Sequence, residues 1–329
     1  YSEDSKSPAE FDISRYVKKG KNRVCVKVLR FCDGSYLECQ DMWRMSGITR
    51  SVELYSLPQF HIKDFPIRAS VDTITYLKGR LALIVDFSGE APSPYKIEVE
   101  LFEHNGISLM KKSKKVKKKE WYSFFSPKDF DLPVIDRWSD DNPYLYTLVF
   151  RLYNDKDSHL ESTGSQIGFR RVEIKKIDGV QQLCVNGIPV QIRGVNRHEH
   201  SGYSGQYVSR EEMRRDIRLM KEANINAVRT CHYPDDEYWY YLCDSAGIYV
   251  WDEANVESHA QGYGAQSLAK NQDWEMSMTY RVNNMFHRDK NRPSVIAWSL
   301  GNECGNGICT ENTYRFISIY NSYSIILVN

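Results

Sequence analysis

Ser294-Val-Ile-Ala-Trp-Ser-Leu-Gly-Asn-Glu303 is the stretch of this sequence that decides the fold. A mostly apolar run ends in a glycine, an amide and a carboxylate, which is typical of a buried strand with polar groups at its end. The same pattern occurs earlier, at strand candidates 190–195, 225–229 and 248–251. A polar cluster follows each of them, in Asn196-Arg-His-Glu-His200, Thr230-Cys-His-Tyr233 and Asp252-Glu-Ala-Asn255.

Helices are predicted between these strands. Ser209-Arg-Glu-Glu212 is a capping box, and the helix after it carries a stripe made of Met213, Ile217, Met220 and Ala223. An aromatic helix near 238–242 and an amphipathic helix through 278–286 follow. Strands that alternate with helices from about residue 174 predict a parallel sheet with helical crossovers. (β/α)₈ barrels and open α/β sheets place their chemistry at the carboxyl ends of such strands.

The chain before residue 174 is predicted to be rich in β-structure. Strand candidates at 80–87, 95–102 and 145–153 are separated by Gly, Pro, Ser and Asn clusters, which predicts a small sandwich over 58–173. Seven lysines between 111 and 119 indicate a solvated hairpin rather than a nucleic-acid patch. Residues 1–57 are interpreted as strands and turns, with an alternating strand at 22–29 and a turn at Asp33-Gly34.

Composition excludes several classes of protein. With 44 basic and 43 acidic side chains among 329 residues, the chain lacks the basic surplus of a nucleic-acid coat protein. No run of 18 apolar residues occurs, so we expect no membrane span. None of the eight cysteines lies in a C-x-x-C pair, which indicates free thiols and a cytoplasmic location, or a periplasmic one if a leader has been lost. The chain starts at Tyr1 and stops on an apolar run, so we expect both ends to be cut.

The polar strand ends carry the residues for chemistry. A partly desolvated Glu303 could keep its proton and donate it to a leaving oxygen, and the Asn302 amide suits a sugar hydroxyl, although the pair could also cap a helix. His198, His200 and His232 at neighbouring strand ends favour a functional site over structural histidines. Two residues alone, Glu257 and His259, leave open a zinc or manganese site or an exposed loop without metal. Nucleophile-elbow, P-loop and Rossmann motifs are absent.

The sequence resembles the β-galactosidases of glycoside hydrolase family 2 from Ser7 to about Gly307. Five stretches carry the resemblance: Asp33-Gly-Ser-Tyr-Leu-Glu-Cys-Gln-Asp-Met-Trp-Arg-Met-Ser-Gly-Ile48, Ile192-Arg-Gly-Val-Asn-Arg-His-Glu-His200, Asn226-Ala-Val-Arg-Thr-Cys-His-Tyr-Pro234, Asp252-Glu-Ala-Asn-Val-Glu-Ser-His259 and Ser299-Leu-Gly-Asn-Glu303. The resemblance implies a multidomain β plus α/β protein. Its parts would be the end of a jelly-roll sugar-binding domain (1–57), an immunoglobulin-like sandwich (58–173) and the first half of a (β/α)₈ TIM barrel (174–329).

The resemblance also implies roles for individual residues. Glu303 would be the general acid/base at the end of the fourth barrel strand, and Asn302 would bind the substrate beside it. His198 and His232 would hold the galactosyl unit and stabilise the transition state. Asp41 would reach from the first domain toward the galactose and a sodium ion.

A magnesium site and an incomplete active site are implied as well. Glu257, His259 and Glu303 match the family's magnesium ligands. The family's nucleophile lies in a Glu-Tyr-Ala-His-like segment on the seventh barrel strand, and no such segment occurs here. Only four barrel strands can be counted, and the residues after 322 depart from the family pattern.

We therefore expect a piece of a retaining β-galactosidase, from a homo-oligomeric parent, that is inactive alone. The alternatives are another family 2 enzyme, a β-glucuronidase or β-mannosidase, and a non-catalytic carbohydrate-binding or truncated product.

Overall fold

The computed structural model of the chain describes residues 1–89, 94–130, 132–320 and 324–327. Two antiparallel sheets form a sandwich. Its strands are β1 (His61–Asp64), β2 (Ile67–Val71), β3 (Gly79–Ser88), β4 (Tyr95–Phe102), β5 (Ser108–Val116), β6 (Tyr122–Phe125), β7 (Tyr146–Tyr153) and β8 (His159–Ile167). One sheet has the order β1-β3-β2, with β6 also pairing to β3, and the other has the order β5-β4-β7-β8.

Alternation of apolar and polar residues explains the sandwich. In β7 every second residue is buried, and the buried residues of both sheets form a single apolar core. The strands predicted at 80–87, 95–102 and 145–153 fall on β3, β4 and β7, so those predictions are confirmed. Most of the lysine run lies on the edge strand β5, where Lys111 Nζ is 3.1 Å from Glu98 Oε1. Charged side chains on an edge strand discourage pairing with other chains.

A three-stranded antiparallel sheet follows the sandwich, and its strands are β9 (Val172–Ile177), β10 (Val180–Val185) and β11 (Ile188–Pro189). Trp138 joins the sandwich to the next part of the chain. Its fully buried indole donates a hydrogen bond from Nε1 to the Asp244 carbonyl at 2.8 Å and packs edge-on against Tyr249. The two parts therefore share a packed interface rather than a free linker.

A parallel sheet begins with β12, and helices connect its strands. The elements are β12 (Gly194–Arg197), α1 (Arg210–Glu222), β13 (Ala227–Thr230), α2 (Glu237–Ala246), β14 (Tyr249–Glu253), α3 (Glu275–Asp289), β15 (Val295–Ser299), α4 (Ile308–Tyr320) and β16 (Ile325–Leu327). Each strand pairs in parallel with the next one along the chain. The sheet has five described strands rather than the four counted from the sequence, because part of the terminal apolar run, which departs from the family pattern and was not counted, forms β16. The first strand also begins later than predicted, at Gly194 instead of residue 190.

Local signals set the helix ends. The Ser209 hydroxyl and the Glu212 carboxylate form the predicted capping box at the start of α1. Met213, Ile217 and Met220 are buried, whereas Ala223 is the exposed C-cap residue and not part of the apolar stripe. None of the helices in the described part of the chain has the length and apolar character needed to cross a bilayer. All eight cysteines are unpaired, as predicted.

Residues 1–57 correct one prediction. This segment contains two 3₁₀ turns, Ser14–Tyr16 and Asp33–Tyr36, but its described backbone forms no strand. The turn expected at Asp33-Gly34 is present, and the strand expected at 22–29 is wrong. Its valines are exposed, and no neighbouring strand supplies ladder hydrogen bonds, without which alternation alone does not make a strand.

The same segment is nevertheless docked on the parallel sheet. Leu37 is fully buried in the core of that part of the chain. The buried guanidinium of Arg281, on α3, contacts the Glu38 carboxylate and donates to the Glu3 carbonyl at 2.8 Å. The segment is therefore held by a buried leucine, ion pairs and hydrogen bonds, including an isolated backbone bridge from Glu38 to Glu257, rather than by a strand of its own.

Candidate active site

The carboxyl ends of β12 to β15 meet at one edge of the sheet, and a cleft of about 810 Å³ opens beside the end of β12. The cleft is lined by residues 39–44 on one side and by His198, His200, His259 and Ala260 on the other. Parallel strands bring their ends together in this way, so residues far apart in sequence become neighbours. Of the residues expected to bind the sugar, His198 and Asp41 line this cleft.

Backbone bridges align the two sides of the cleft. The Glu257 N–H donates to the Leu37 carbonyl at 2.6 Å, and the Cys39 N–H donates back to the Glu257 carbonyl at 3.0 Å. Glu257 also forms a parallel bridge with Asn302. The loop after β14 thus lies between the first segment of the chain and the end of β15. This contact is what carries exposed Asp41 to the rim of the cleft.

Gly301 explains how β15 turns into the site. Its φ is +145°, and a Cβ there would lie 2.4 Å from the Val256 carbonyl oxygen. Only glycine fits this backbone, because any side chain would collide with the neighbouring loop. The close approach lets the Asn302 N–H donate to the Val256 carbonyl at 2.9 Å. The turn therefore places Asn302 and Glu303 at the strand mouth.

Glu303 contacts Nδ1 of His259, which lines the cleft, with its carboxylate. Its side chain is 42% exposed, so the chain itself does not supply the desolvation expected from the sequence. The helix-capping alternative is wrong for this pair, because α4 begins only at Ile308. An exposed carboxyl group in a cleft is accessible to a ligand.

Asn302 is oriented by two fixed partners. Its Oδ1 accepts from Arg229 Nη2 at 2.8 Å, and its Nδ2 donates to Glu257 Oε2 at 3.2 Å. An amide has two N–H groups and two lone pairs, so one of each remains for a ligand. These partners set which end of the amide faces the ligand.

An ion-pair network that the sequence did not reveal lies beneath Asn302. Glu253, at the end of β14, is completely buried and accepts from Arg229 Nε and Nη2, both at 2.8 Å. The Ser299 hydroxyl donates to the same carboxylate at 2.7 Å. Burial raises the pKa of Glu253, but the hydrogen bonds from His232, Arg229 and Ser299 outweigh burial and hold the pKa below its ordinary value.

The two histidines expected to bind substrate are packed together. The rings of His198 and His232 are 5.3 Å apart and nearly perpendicular. His232 Nδ1 is 2.7 Å from Glu253 Oε1, which makes Nδ1 the protonated nitrogen and leaves Nε2 as an acceptor. Burial, and then the neighbouring imidazoles His232 and His200, lower the pKa of His198. At neutral pH His198 is therefore an uncharged partner.

Glu257, His259 and Glu303 form a second cluster, whose donor atoms lie within 4.8 Å of one another. The Glu257 side chain is buried. Burial raises the pKa of Glu257, the hydrogen bond from Asn302 opposes this, and the nearby charges of Asp41 and Glu303 raise it further. Carboxylates that crowd one another in this way fit a divalent cation.

A buried lysine from the first segment, Lys6, lies near the candidate site. Lys6 Nζ has no hydrogen-bond partner among the described residues and lies 4.1 Å from the ring centre of Tyr233. Beside it, Arg50 Nη2 is 2.6 Å from the buried Glu199 carboxylate. Burial lowers the pKa of Lys6 to about 8. Nothing in the pattern around Lys6 predicts that it would be buried.

Lys6 makes a testable contribution to the pH dependence of stability. Between about pH 8 and pH 10.5 the unfolded chain keeps a proton that the folded chain has lost, so this residue makes the free energy of unfolding rise with pH. Below pH 8 the full cost of burying the ammonium group is present. We expect the stability of Lys6→Met relative to the parent to fall by up to about 3 kcal/mol between pH 7 and pH 10. Urea unfolding at pH 7 and pH 10 measures this difference in stability. The control is Lys18→Met, which removes an exposed lysine. Parallel curves for parent and Lys6→Met would contradict the prediction.

Comparison with known proteins identifies the family. The model described as "Glycosyl hydrolases family 2, TIM barrel domain" matches residues 172–322, the family 2 sugar-binding domain matches 1–58, and "Glycosyl hydrolases family 2" matches 60–170. The chain belongs to glycosyl hydrolase family 2. Its three parts are thus a sugar-binding region, an immunoglobulin-like sandwich and a parallel sheet consistent with part of a TIM barrel, which confirms the predicted fold class.

Curated relatives of this family 2 chain include β-galactosidases. It is 42% identical to the β-galactosidase of Vibrio vulnificus over 313 residues, which are 93% of this chain and 30% of the relative. It is 43% identical to the β-galactosidase of Photobacterium profundum over 321 residues, 96% of this chain and 30% of that one. The chain therefore spans about 30% of the length of these relatives.

Solved structures share the fold at lower identity. Apo β-glucuronidase 3 of Bacteroides uniformis superposes with a TM-score of 0.74 at 22% identity, over 88% of this chain and 36% of that chain. The β-glucuronidase of Parabacteroides merdae gives 0.71 at 21% identity, over 83% and 35%. At this identity the likeness supports the family 2 fold alone.

Proposed function

We propose that this chain carries the galactose-binding and proton-donating half of a retaining β-galactosidase. The complete enzyme would hydrolyse terminal β-D-galactosyl bonds such as that of lactose. One observation carries the proposal: Asp41 and His198 line one cleft, and His232 and Glu303 contact the cleft residues His198 and His259, with Asn302 next to Glu303 in the chain. The 42–43% identity to β-galactosidases supports a galactoside as substrate.

The proposed roles follow from the environment of each group. The Glu303 side chain is partly exposed beside His259 of the cleft, so its carboxyl group can give a proton to the leaving oxygen and later take one from water. His232 presents Nε2 as an acceptor, because Nδ1 is held by Glu253. Asn302 keeps one N–H and one lone pair free, which suits a sugar hydroxyl.

A second carboxylate is needed for a retaining mechanism, about 5–5.5 Å from the acid/base. Glu257 comes within 4.8 Å of Glu303, but it is 1% exposed and bonded to Asn302, so it cannot reach an anomeric carbon. Glu199 and Glu253 are buried in ion pairs with arginines. We therefore expect the chain alone to bind a galactoside without hydrolysing it.

Magnesium is part of the proposal, and Glu257, His259 and Glu303 would hold it. Two carboxylates and an imidazole crowded at one point suit a divalent cation, although a harder oxygen set is more common for magnesium. When bound, the ion would supply positive charge beside the acid/base carboxyl group. Sodium at Asp41 stays a prediction, since a single exposed carboxylate provides only one of the oxygen ligands a cation needs. A homo-oligomeric parent is likewise proposed from the family.

Galactose binding tests the proposal on the chain itself. Isothermal calorimetry should show saturable heat with galactose. His232→Ala should weaken that binding about tenfold or more, because the sugar loses a partner held in place by a buried carboxylate. His104→Ala, an exposed histidine of the sandwich, is the control and should bind as the parent does.

The alternatives have their own outcomes in the same titration. The fold likeness to β-glucuronidases keeps that activity as the second candidate. Saturable heat with glucuronate or mannose but not with galactose would replace the proposal by a β-glucuronidase or β-mannosidase. No heat with any of the three sugars would contradict sugar recognition by this cleft.

A further inference from the structure

Three side chains of the metal-binding type meet at the ends of β12 and β13. Donor atoms of His198, Cys231 and His232 lie within 4.8 Å of one another, apart from the Glu257, His259 and Glu303 cluster. Two imidazoles and a thiol are a borderline-soft set, which favours zinc over magnesium or calcium. The proposed sugar chemistry uses the two histidines and gives Cys231 no role.

The histidine tautomer is already suited to a metal. His232 Nδ1 is 2.7 Å from the buried Glu253 carboxylate, so Nε2 carries the lone pair. A carboxylate that holds the far nitrogen of an imidazole is the usual support of a zinc-bound histidine. Arg229 lies next to this carboxylate in an ion pair, so its charge is largely offset.

A buried, unsatisfied atom points to the same place. His198 Nδ1 is inaccessible to solvent and has no hydrogen-bond partner among the described residues. The Cys231 side chain is 3% exposed and shares this environment. Buried polar groups are normally satisfied, and an orphan beside a thiol and a second imidazole is what an absent ligand would leave.

We propose that His198, Cys231 and His232 bind a thiophilic divalent cation, with zinc as the natural probe. Tetrahedral zinc holds its ligands about 3.4–3.6 Å apart, so the donors would need to close by roughly 1 Å through side-chain rotation. Cys231 would bind as the thiolate, releasing its proton to solvent, and the fourth position would open toward the cleft. The ion would then lie beside His198, at the edge of the cleft.

Titration of the 329-residue chain with Co²⁺, under a non-chelating reductant, tests the site. A thiolate–Co²⁺ charge-transfer band should appear, and Zn²⁺ should displace it. The band reports sulfur ligation, so ions held by Glu257 and His259 do not produce it. Cys231→Ser should abolish the band, and His198→Gln should weaken binding by about tenfold or more. Cys184→Ser, a buried cysteine of β10, should leave the band unchanged.

Two controls separate loss of the metal site from loss of the fold. Circular dichroism establishes that each variant is folded, and His198→Gln provides a second route if Cys231→Ser does not fold. No band in the folded parent, or a band that survives in both variants, would overturn the proposal.

Competition with sugar rests on the proposed function. If the histidines bind galactose, zinc should suppress the galactose heat in calorimetry. A cobalt band with no galactose heat in the metal-free chain would support the metal site and contradict the proposed function. Galactose heat without a cobalt band would support the proposed function and contradict the metal site.

Discussion

Replacing Glu303 by Gln should lower lactose turnover about 10²–10⁴-fold, which is the usual contribution of a general acid. The measurement needs a completed barrel, made by joining this chain to the remaining barrel residues of the Vibrio vulnificus β-galactosidase. The chain alone provides the baseline, and we expect it to show no turnover. Glu303 is the exposed carboxyl group at the strand mouth, whereas its neighbours Glu253 and Glu257 are buried.

A change of leaving group separates proton donation from structural damage. A dinitrophenolate leaves without a proton, so Glu303→Gln should slow the bond-breaking step of a dinitrophenyl galactoside far less than that of lactose. Glu311→Gln, an exposed carboxylate on α4, removes the same charge and should leave both rates unchanged. Equal losses on both substrates would show that Glu303 acts through folding or metal binding instead.

Arg229→Met should lower the free energy of unfolding by about 3–5 kcal/mol, because it leaves the Glu253 charge buried without its main partner. Glu253 is fully buried, and both of its bonds to Arg229 are 2.8 Å long. Urea unfolding of the chain at pH 7 measures the loss. Arg193→Met, which removes an exposed arginine at the start of β12, should cost less than about 1 kcal/mol.

The loss of stability caused by Arg229→Met should become smaller as the pH falls. The folded pKa of Glu253 lies below its ordinary value, so this group stabilises the parent above the unfolded pKa and the stabilisation disappears as pH falls through the folded pKa. The difference between parent and Arg229→Met should therefore shrink at acidic pH. Adding Glu253→Gln to Arg229→Met should recover part of the stability at pH 7. No recovery, or a loss independent of pH, would contradict the ion-pair explanation.

Much of the parallel sheet could be predicted from local pattern. The strands at 225–229 and 248–251, the capping box at Ser209 and the polar run through Glu303 were all visible in sequence, since each depends on neighbours in the chain. The strand expected at 22–29 was wrong for the opposite reason. A strand needs a partner, and alternation does not say whether one is present.

The supports of the site were less visible. Arg229 and Glu253 lie 24 residues apart, and their pairing depends on two strands being adjacent in the sheet. Burial of Lys6 depends on contacts with residues more than 200 positions away, including Tyr233. The one available signal was the acidic pair Asp252-Glu253 after the apolar run 248–251, because a buried carboxylate needs a partner that neutralises it.

By itself, the sequence determined that polar groups would gather at one edge of a parallel sheet, because the order of strands and helices leaves the carboxyl ends of the strands together. It also determined the family, through motifs in a fixed order. The environment of each carboxylate, in contrast, depends on the tertiary structure. The Glu303 side chain is 42% exposed, whereas Glu253 is buried and paired with Arg229, and Glu257 is buried and accepts a hydrogen bond from the Asn302 amide. Residue type and spacing do not distinguish these three glutamates from one another. Their exposure and their hydrogen-bond partners are set by segments distant in sequence. Those contacts, summed over the fold, separate the proposed proton donor from the buried, paired carboxylates.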